Sequence, residues 1–568
     1  MKELITQKAT TKYTLDPHIR RTDVLRRLGV EEAELFPCES KIAVPSLTIE
    51  RDCYQGIIKN ILSNTDSVSI VEAHGGIGKT VFTTCIEKYL PTGSVSLVYD
   101  CFGNGQYRNL SQSRHRHKDA FVQMANELAA LGLCDPLIPS GKSDNKDFIA
   151  SFITRVQSAI TTIRLSTPSA FLIITIDAAD NSQIAAEEFG DHRAFVKDFV
   201  REKLPEGVKL VVTARPYRVG LLDMSERVLK QSIPEFSLEE TKIHVKSFVN
   251  VVDDSLFAEF HRLSSKNPRV QSWALDSVSS LEIALSKFGS DAKDVNDTLF
   301  DMLESAIEAS GLGSKSDVER LCSAIAILPP LIPLELLADV TGLQQSMIQS
   351  FVADLKKPIA LIDGYLYFCD EPAEEWFRTK YEKSAVELEQ FIHVIEKQAS
   401  MSAYAAAILP MLLYKAEKID KLIELALSKK GLPDEDSIEK KEIRHNRLQF
   451  ALKSSLKTER YSDSIALAFQ LGGATAGDER VTKLLQENVD LAGVALAPST
   501  VQQFVAKRKF SSVKKWRGDH HIYDASMQAM NPSLAADAFS SLRMALDWFE
   551  DKVRRMILQR KCGHQVKP

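Results

Sequence analysis

The stretch Ser67-Val68-Ser69-Ile70-Val71-Glu72-Ala73-His74-Gly75-Gly76-Ile77-Gly78-Lys79-Thr80 decides the fold. A short run rich in Val and Ile reads as a buried strand, the glycines as a loop that turns back on itself, and the following Thr80–Leu90 as a helix. The loop fits GxxxxGK[ST] except that Ala73 stands where the first glycine would be, a small residue that still fits a strand end. Glycines let successive backbone N–H groups surround phosphates, the lysine reaches the β and γ oxygens, and the threonine hydroxyl holds Mg²⁺. His74, Gly75, Gly76, Ile77, Gly78, Lys79, Thr80 and Val81 are therefore the candidate nucleotide-binding residues, with ATP or ADP as ligand and Thr80 as a candidate Mg²⁺ ligand. The bland alternative, a chance glycine-rich turn, does not account for the strand before it and the helix after it.

Outward from the loop, Ser94–Asp100, Ala170–Asp177 and Lys209–Thr213 are three further apolar runs. Helical stretches are expected at Lys118–Leu131, Lys146–Ile163 and Arg193–Lys203. Such alternation is the sequence form of a parallel sheet covered by helices. The run Phe171–Asp177 ends in a carboxylate, which a phosphate loop needs beside its metal; Asp177 is the second candidate Mg²⁺ ligand, against the plain reading of an aspartate capping a strand. Asp180 follows at a distance suited to a general base, and Asn181, an amide, cannot take a proton. Val211-Val212-Thr213-Ala214-Arg215-Pro216 delivers Arg215 to the same edge, where it could sense a terminal phosphate; alone, it reads equally as a surface arginine. Asp177, Asp180 and Arg215 are the candidate catalytic residues.

After Pro234 the strands stop. Leu238–Val251, Ser255–Leu263 and Arg269–Leu285 read as helices. A Gly- and Ser-rich break at Ser310–Ser316 follows, then Val318–Ala326, Pro333–Thr341 and Gln345–Leu355 as three helices, and a hairpin of Ile359–Ile362 and Tyr365–Phe368 around Asp363-Gly364. Three helices and a hairpin predict a winged helix. From Glu371 nearly all is helical, with short polar links and no strict repeat period, an α-hairpin array of the TPR or HEAT kind. The expected organisation is a P-loop NTPase core of α/β class at 47–234, a helical lid at 235–310, a winged-helix domain at 311–382 and an all-α helical-repeat array at 383–568. Residues 1–46 read as an extension or linker.

The whole is 568 residues long, 44% hydrophobic and 26% charged, which excludes a disordered or low-complexity chain and requires several cores. The net charge of −5 provides no global attraction to nucleic acid or anionic lipid. Eight scattered cysteines without a CxxC pair suit reduced thiols rather than disulfides or zinc, and no apolar run approaches a membrane span. These features predict a cytoplasmic protein with no membrane partner.

Taken together the motifs resemble the STAND class of signalling NTPases, within the AAA+ superfamily, to which NACHT and NB-ARC proteins belong. Asp177-Ala178-Ala179-Asp180-Asn181 is similar to the class's metal strand, with asparagine in its last acidic place, and Thr213-Ala214-Arg215-Pro216 is similar to its fourth-strand end. Ile49-Glu50-Arg51-Asp52 looks like the segment that approaches adenine, and Asn267-Pro268-Arg269-Val270 like the one whose proline packs near the base; the resemblance thus adds Arg51 and Pro268 to the nucleotide site. Where many members carry a histidine that holds ADP, this chain has Phe368-Cys369-Asp370, and Cys369 offers no imidazole; Asp370 reads as the N-cap of the helix from Glu371. The resemblance spans about 47–382, and Tyr99–Arg108 with Phe368–Phe377 look most like large bacterial antiviral (Avs-like) STAND proteins. It implies a slow Mg²⁺-dependent ATPase acting as a switch, self-association into a ring or tetramer, a protein ligand of phage origin met by the C-terminal helices, and an effector that this sequence does not identify. At 568 residues the chain reads as a central piece, or as a member whose effector is a separate protein.

Two readings compete. A STAND-type transcription regulator would bind DNA, which the acidic Asp370–Glu375 stretch disfavours, and a constitutive motor ATPase would need a catalytic glutamate where Asn181 stands. Arg114-His115-Arg116-His117 and His520-His521 lack metal-ligand spacing and read as solvated loops, with a phosphate or inter-subunit contact by Arg114 or Arg116 as the alternative. Lys507, Arg508, Lys509, Lys514, Lys515 and Arg517 read as a solvated helix face, with nucleic acid or an acidic partner as the alternative.

Overall fold

A computed structural model describes residues 32–471 apart from 46, 110–111, 139–144, 192, 226, 251–253, 277, 289–299, 302, 306, 309–313, 356–357, 382–384, 429–430, 433–437 and 469, and then 498, 501–502, 505 and 518–563. The cationic stretch at 507–517 lies outside these residues. The chain forms two compact units, one of residues 38–136 and 149–471, the other of 1–37, 137–148 and 472–568.

The first unit holds the phosphate loop. Helix α1 (Asp52–Ser63) precedes β1 (Val68–Glu72), then come α2 (Lys79–Cys85), β2 (Val95–Asp100), α3 (His117–Ala130), α4 (Asn145–Ser166), β3 (Leu172–Asp177), α5 (Ala179–Glu188), β4 (Val208–Ala214) and β5 (Leu229–Ser232). The five strands form one parallel sheet in the order β2-β3-β4-β1-β5. The expected α/β class is present, and the four apolar runs are β1 to β4, three inner strands and the edge strand β2. Burial on both faces demands such runs: every residue of β3 and β4 is buried. The fifth strand escaped notice because Leu-Lys-Gln-Ser lies at the sheet edge, where alternate residues face water.

Next come α6 (Leu238–Lys246), α7 (Asp254–Leu263), α8 (Pro268–Leu275) and α9 (Leu281–Leu285), around a core that includes Val245, Phe257 and Phe260. The expected single helix over 269–285 is two, because the chain extends at Asp276 and Ser280 restarts it as an N-cap. Helices α10 (Lys315–Ile327), α11 (Leu334–Thr341) and α12 (Gln345–Leu355) follow. They accompany a three-stranded antiparallel sheet of β6 (Ile332–Pro333), β8 (Tyr365–Phe368) and β7 (Ile359–Ile362). Asp363 and Gly364, both at positive φ, turn the hairpin where the sequence placed it.

Helix α13 (Glu371–Tyr381) leads into α14 (Ala385–Gln398), α15 (Ala403–Lys415), α16 (Ile419–Leu427) and α17 (Ile438–Lys457). One hydrophobic cluster runs from Leu303 through Phe351 and Phe377 to Leu467, so these helices share a core with α10–α12 and the hairpin. In the second unit α18 (Gly518–Ala529) lies against α19 (Ala535–Gly563). His520 and His521 start α18 and are not in a loop. No helix among the described residues is long and apolar enough to cross a membrane, and Cys38, Cys53, Cys85, Cys101, Cys134, Cys322 and Cys369 are free.

Candidate functional site

Strands β3, β4 and β1 lie side by side, and their carboxyl ends finish level: Glu72 pairs with Ala214, and Ile176 with Val212. The edge therefore receives the phosphate loop from β1, Asp177 from β3 and Arg215 from β4, residues up to 142 positions apart in the chain. This edge, where the strand connections diverge, is where open parallel sheets bind ligands.

The loop geometry follows from its glycines. Gly76 and Gly78 have φ of +81° and +108°, and a Cβ on Gly76 would lie 2.7 Å from the Cβ of Arg269. Gly78 directly precedes α2, and Phe82 donates its N–H to the Gly78 carbonyl. The Lys79 ammonium donates to the carbonyls of Ala73 (2.6 Å) and His74 (3.2 Å), leaving the third of its donors for a phosphate oxygen. Burial pushes Lys79 down to about 8, an effect that Glu371 opposes and Arg215 reinforces.

Beneath the loop, three side chains form one chain of hydrogen bonds. The Thr80 hydroxyl donates to Oδ2 of Asp177 (2.8 Å), and the Thr213 hydroxyl donates to Oδ1 (2.7 Å) while accepting from the Ala178 N–H (2.8 Å). Ala178 itself stands at φ +50°, an uncommon conformation for a residue with a Cβ, and Thr213 fixes it. Burial raises Asp177 to about 6, with the Thr213 hydroxyl pulling the other way. A hydroxyl and a carboxylate side by side are hard oxygen donors of the kind Mg²⁺ takes, so the residues present fit that ion. Asp180 is buried and raised, first by burial and then by the Glu371 charge. Asn181 leaves its buried Nδ2 without a partner.

Arg51 joins the loop to the elements on either side of it. Its guanidinium is buried, pairs with Glu240 (2.7 Å), donates to the carbonyls of Pro234 and Glu235 and lies over Phe236 at 5.0 Å, which ties the start of α1 to the start of α6. It also donates to the carbonyl of Ile77 in the loop (3.4 Å). Pro268 opens α8, and its neighbours cover the loop. Asn267 caps α8 and donates from Nδ2 to the Gly75 carbonyl (2.9 Å), while Arg269 pairs with Asp370 (3.2 Å). His74 remains exposed.

The sequence gives no hint of the next feature. Arg215 caps a 3-10 turn, Pro216–Leu222, and in that geometry positions three apart eclipse one another, so Arg218 lies on the same side as Arg215. Facing them, Glu371 and Glu375 are one helical turn apart on α13. Arg215 meets Glu371 at 2.9 Å and Glu375 at 2.6 Å; Arg218 meets Glu371 at 2.7 Å, Glu375 at 3.1 Å and Asp180 at 3.3 Å. Burial would raise Glu371, but Arg215, Arg218 and Lys79 outweigh it and hold the carboxyl below its ordinary value. Asp370 caps α13 by accepting the Ala373 N–H (3.0 Å), as its position predicted, and Pro372 lies over Gly75.

A second ion network adjoins the first. Arg108, fully buried, pairs with Glu188 (2.7 Å) and with Glu374; Arg378 (3.7 Å) and Lys415 (3.4 Å) also reach Glu188. The 114–117 stretch is not the solvated loop expected of it. Arg114 is buried and donates to the carbonyls of Asp100 and Glu39, His115 bonds to Asp191 (2.7 Å) and His117 to Asp198 (2.9 Å). These are structural anchors beside β2, and the partners of the two histidines lie 76 and 81 residues away in the sequence, beyond any spacing rule. Among the described residues no cluster of His, Cys, Asp and Glu is placed to hold a metal ion by itself.

No family model and no curated protein matches the chain. Among solved structures it is similar to a STAND protein with a tetratricopeptide repeat sensor from Pyrococcus horikoshii, at 13% identity and a TM-score of 0.37, covering 91% of this chain and 79% of that one. It is also similar to a Walker-type ATPase of Pyrococcus abyssi, at 12% identity and 0.31 over 64% and 99% of the two chains. The Aeropyrum pernix Orc1 protein, solved in complex with DNA, matches at 11% and 0.26 over 62% and 96%. With scores this low the fold rests on the sheet order and the loop geometry: the chain carries an α/β core of P-loop type followed by helices.

Proposed function

We propose that the chain is a nucleotide-dependent switch of the STAND kind that binds ATP or ADP with Mg²⁺ at the edge of its parallel sheet. The observation that carries this reading is the hydrogen-bonded set Thr80–Asp177–Thr213 lying under a glycine loop that Asn267 and α13 cover from above. Loop N–H groups and Lys79 bind the phosphates, and Thr80 and Asp177 hold the metal, which supplies charge neutralisation at the phosphate oxygens when bound. Asp180, raised by burial, takes the proton of the attacking water, and Arg215 steadies the terminal phosphate. Asp180 is engaged by Arg218, and an amide follows it at Asn181; both favour slow turnover and a switch over a motor.

In this reading residues 235–310 act as the lid and 311–382 as a winged helix, which together close over the nucleotide. Arg51 serves that closure from behind, by tying α1 to α6. The C-terminal helices meet a protein ligand, as in the antiviral STAND proteins that the sequence resembles. The opened chain then assembles with copies of itself, and a partner effector is brought together by that assembly, in the cytoplasm. Lys79→Ala tests the site: tight binding of ADP to wild type, measured by isothermal titration, should be lost in the variant. Wild-type affinity in Lys79→Ala would sink the proposal.

A further inference from the structure

Helix α19 presents two faces, and only one of them is used within its own unit. Ala538, Ser541 and Ala545 form the buried face, and Ser541 shares a hydrogen bond of 2.7 Å with Gln528 of α18. At about 100° per residue the other face lies roughly a quarter-turn away, which leaves room for a second helix beside α18. It consists of Phe539, Leu542, Leu546, Phe549 and Val553, which are 43% to 74% exposed. Their spacing of three, four, three and four is that of the a and d positions of two heptads and the start of a third. Among the described residues the small core of this unit, which includes Val501, Met527 and Leu534, takes in none of the five. A seam of that period is shaped to receive the side chains of another helix, whereas single apolar residues scattered on a surface do not repeat in this way.

The charges beside the seam favour one occupant. Arg543 and Glu550 hold the e positions and are exposed, while Ala545 and Lys552 hold the g positions. In a parallel pair of two copies the e and g flanks meet, so that Arg543 would face Ala538 and Glu550 would face Ala545, and the charges gain nothing. An antiparallel pair instead sets one e flank against the other. With Leu546 level with the partner's Phe549, and Leu542 level with the partner's Val553, Arg543 lies against the partner's Glu550, and the two-fold axis repeats that pair. A shift of one heptad in either direction puts Arg543 against Arg543 or Glu550 against Glu550, so the charges select the register as well as the direction. Exposed Asp547 and Asp551, further round the helix, oppose an anionic lipid surface as the occupant.

We infer that α19 is a self-association surface on which two copies of this chain pair their Phe539–Val553 seams antiparallel, in the register that sets Arg543 against Glu550 twice. Such a contact uses the same patch on both copies and closes at two. It lies in the second compact unit and involves no residue of the phosphate loop, so it stands apart from the nucleotide switch proposed above. A seam of little more than two heptads must offset the lost freedom of two chains, which sets the expected Kd on the order of 10 µM.

Analytical ultracentrifugation of the full chain from about 1 to 100 µM, with nucleotide removed, tests this. Wild type and Lys79→Ala should pass alike from monomer to dimer over that range, whatever Lys79→Ala does to ADP binding. Leu546→Glu, a change at an exposed position, should weaken the dimer about tenfold or more and leave the far-ultraviolet circular dichroism as it was. Arg543→Glu alone and Glu550→Arg alone set like charges opposite and should each weaken it about tenfold. The double variant Arg543→Glu with Glu550→Arg restores opposite charges and should recover wild-type affinity to within about threefold. A chain that stays monomeric throughout, whether its seam is bare or covered by another segment of the same chain, would overturn the inference. So would a dimer that Leu546→Glu leaves intact, or one that ignores the single charge variants or is not recovered by the double one.

Discussion

Gly105→Ala should pull the hairpin of β7 and β8 away from the sheet unit it rests on. Gly105 has φ +88°, and a Cβ built there would lie 1.5 Å from the carbonyl oxygen of Phe368 and 2.7 Å from its carbon. Both obstacles are backbone, so no rotamer change relieves them, and the two chains must part by about 2 Å to restore ordinary contact. The left-handed conformation alone costs alanine roughly 1–2 kcal/mol. Parting also separates Arg108, three residues on, from Glu374, six residues beyond Phe368, and breaking a fully buried pair costs about 3–5 kcal/mol. The sum, roughly 4–7 kcal/mol, exceeds what a local adjustment can absorb, so the hairpin and α13 should lift away as one piece. Hydrogen exchange measured over 359–381 should accelerate by orders of magnitude while β3 and β4 stay protected. Wild-type exchange in that stretch, together with a denaturant midpoint that does not move, would refute the reasoning.

Thr213→Val strips the hydroxyl that bridges Oδ1 of Asp177 and the Ala178 N–H, leaving two buried groups short of a partner; urea unfolding should show a loss of about 2 kcal/mol. Glu188 is held at about 2, below its ordinary 4.5, because Arg108, then Arg378 and Lys415, outweigh the burial that would raise it. A lowered carboxylate stabilises the fold above its unfolded pKa and loses that contribution as pH falls through the folded one. Glu188→Gln should therefore cost about 3 kcal/mol at neutral pH and flatten the acid limb of the stability profile between pH 4.5 and 2, read by urea titration at stepped pH.

Much of the sheet edge was legible because its signals are local. Four of the five strands declared themselves as apolar runs, and the loop as glycines between a strand and a helix. The Asp363-Gly364 hairpin and the Asp370 cap came from turn and cap chemistry that acts over two to four residues. The fifth strand did not, since its four residues, Leu-Lys-Gln-Ser, alternate between half-buried and exposed and carry a single apolar side chain. The 114–117 stretch misled for a related reason: two arginines and two histidines in a row look solvated until Asp191 and Asp198 are brought to them.

The sequence by itself determined that a nucleotide loop exists, which strand feeds it, and that Asp177 and Arg215 follow at the ends of later strands, because each of these is written in contiguous residues. Only the tertiary structure decided what faces them. Glu371 and Glu375 at one-turn spacing read in isolation as the wet side of a helix, and Arg218 as a polar residue after a proline. They become a partly buried ion cluster when α13 is laid across a sheet edge 153 residues earlier in the chain. Charge pairing depends on distance in space and on removal from water, and neither is encoded in the separation of residues along the backbone.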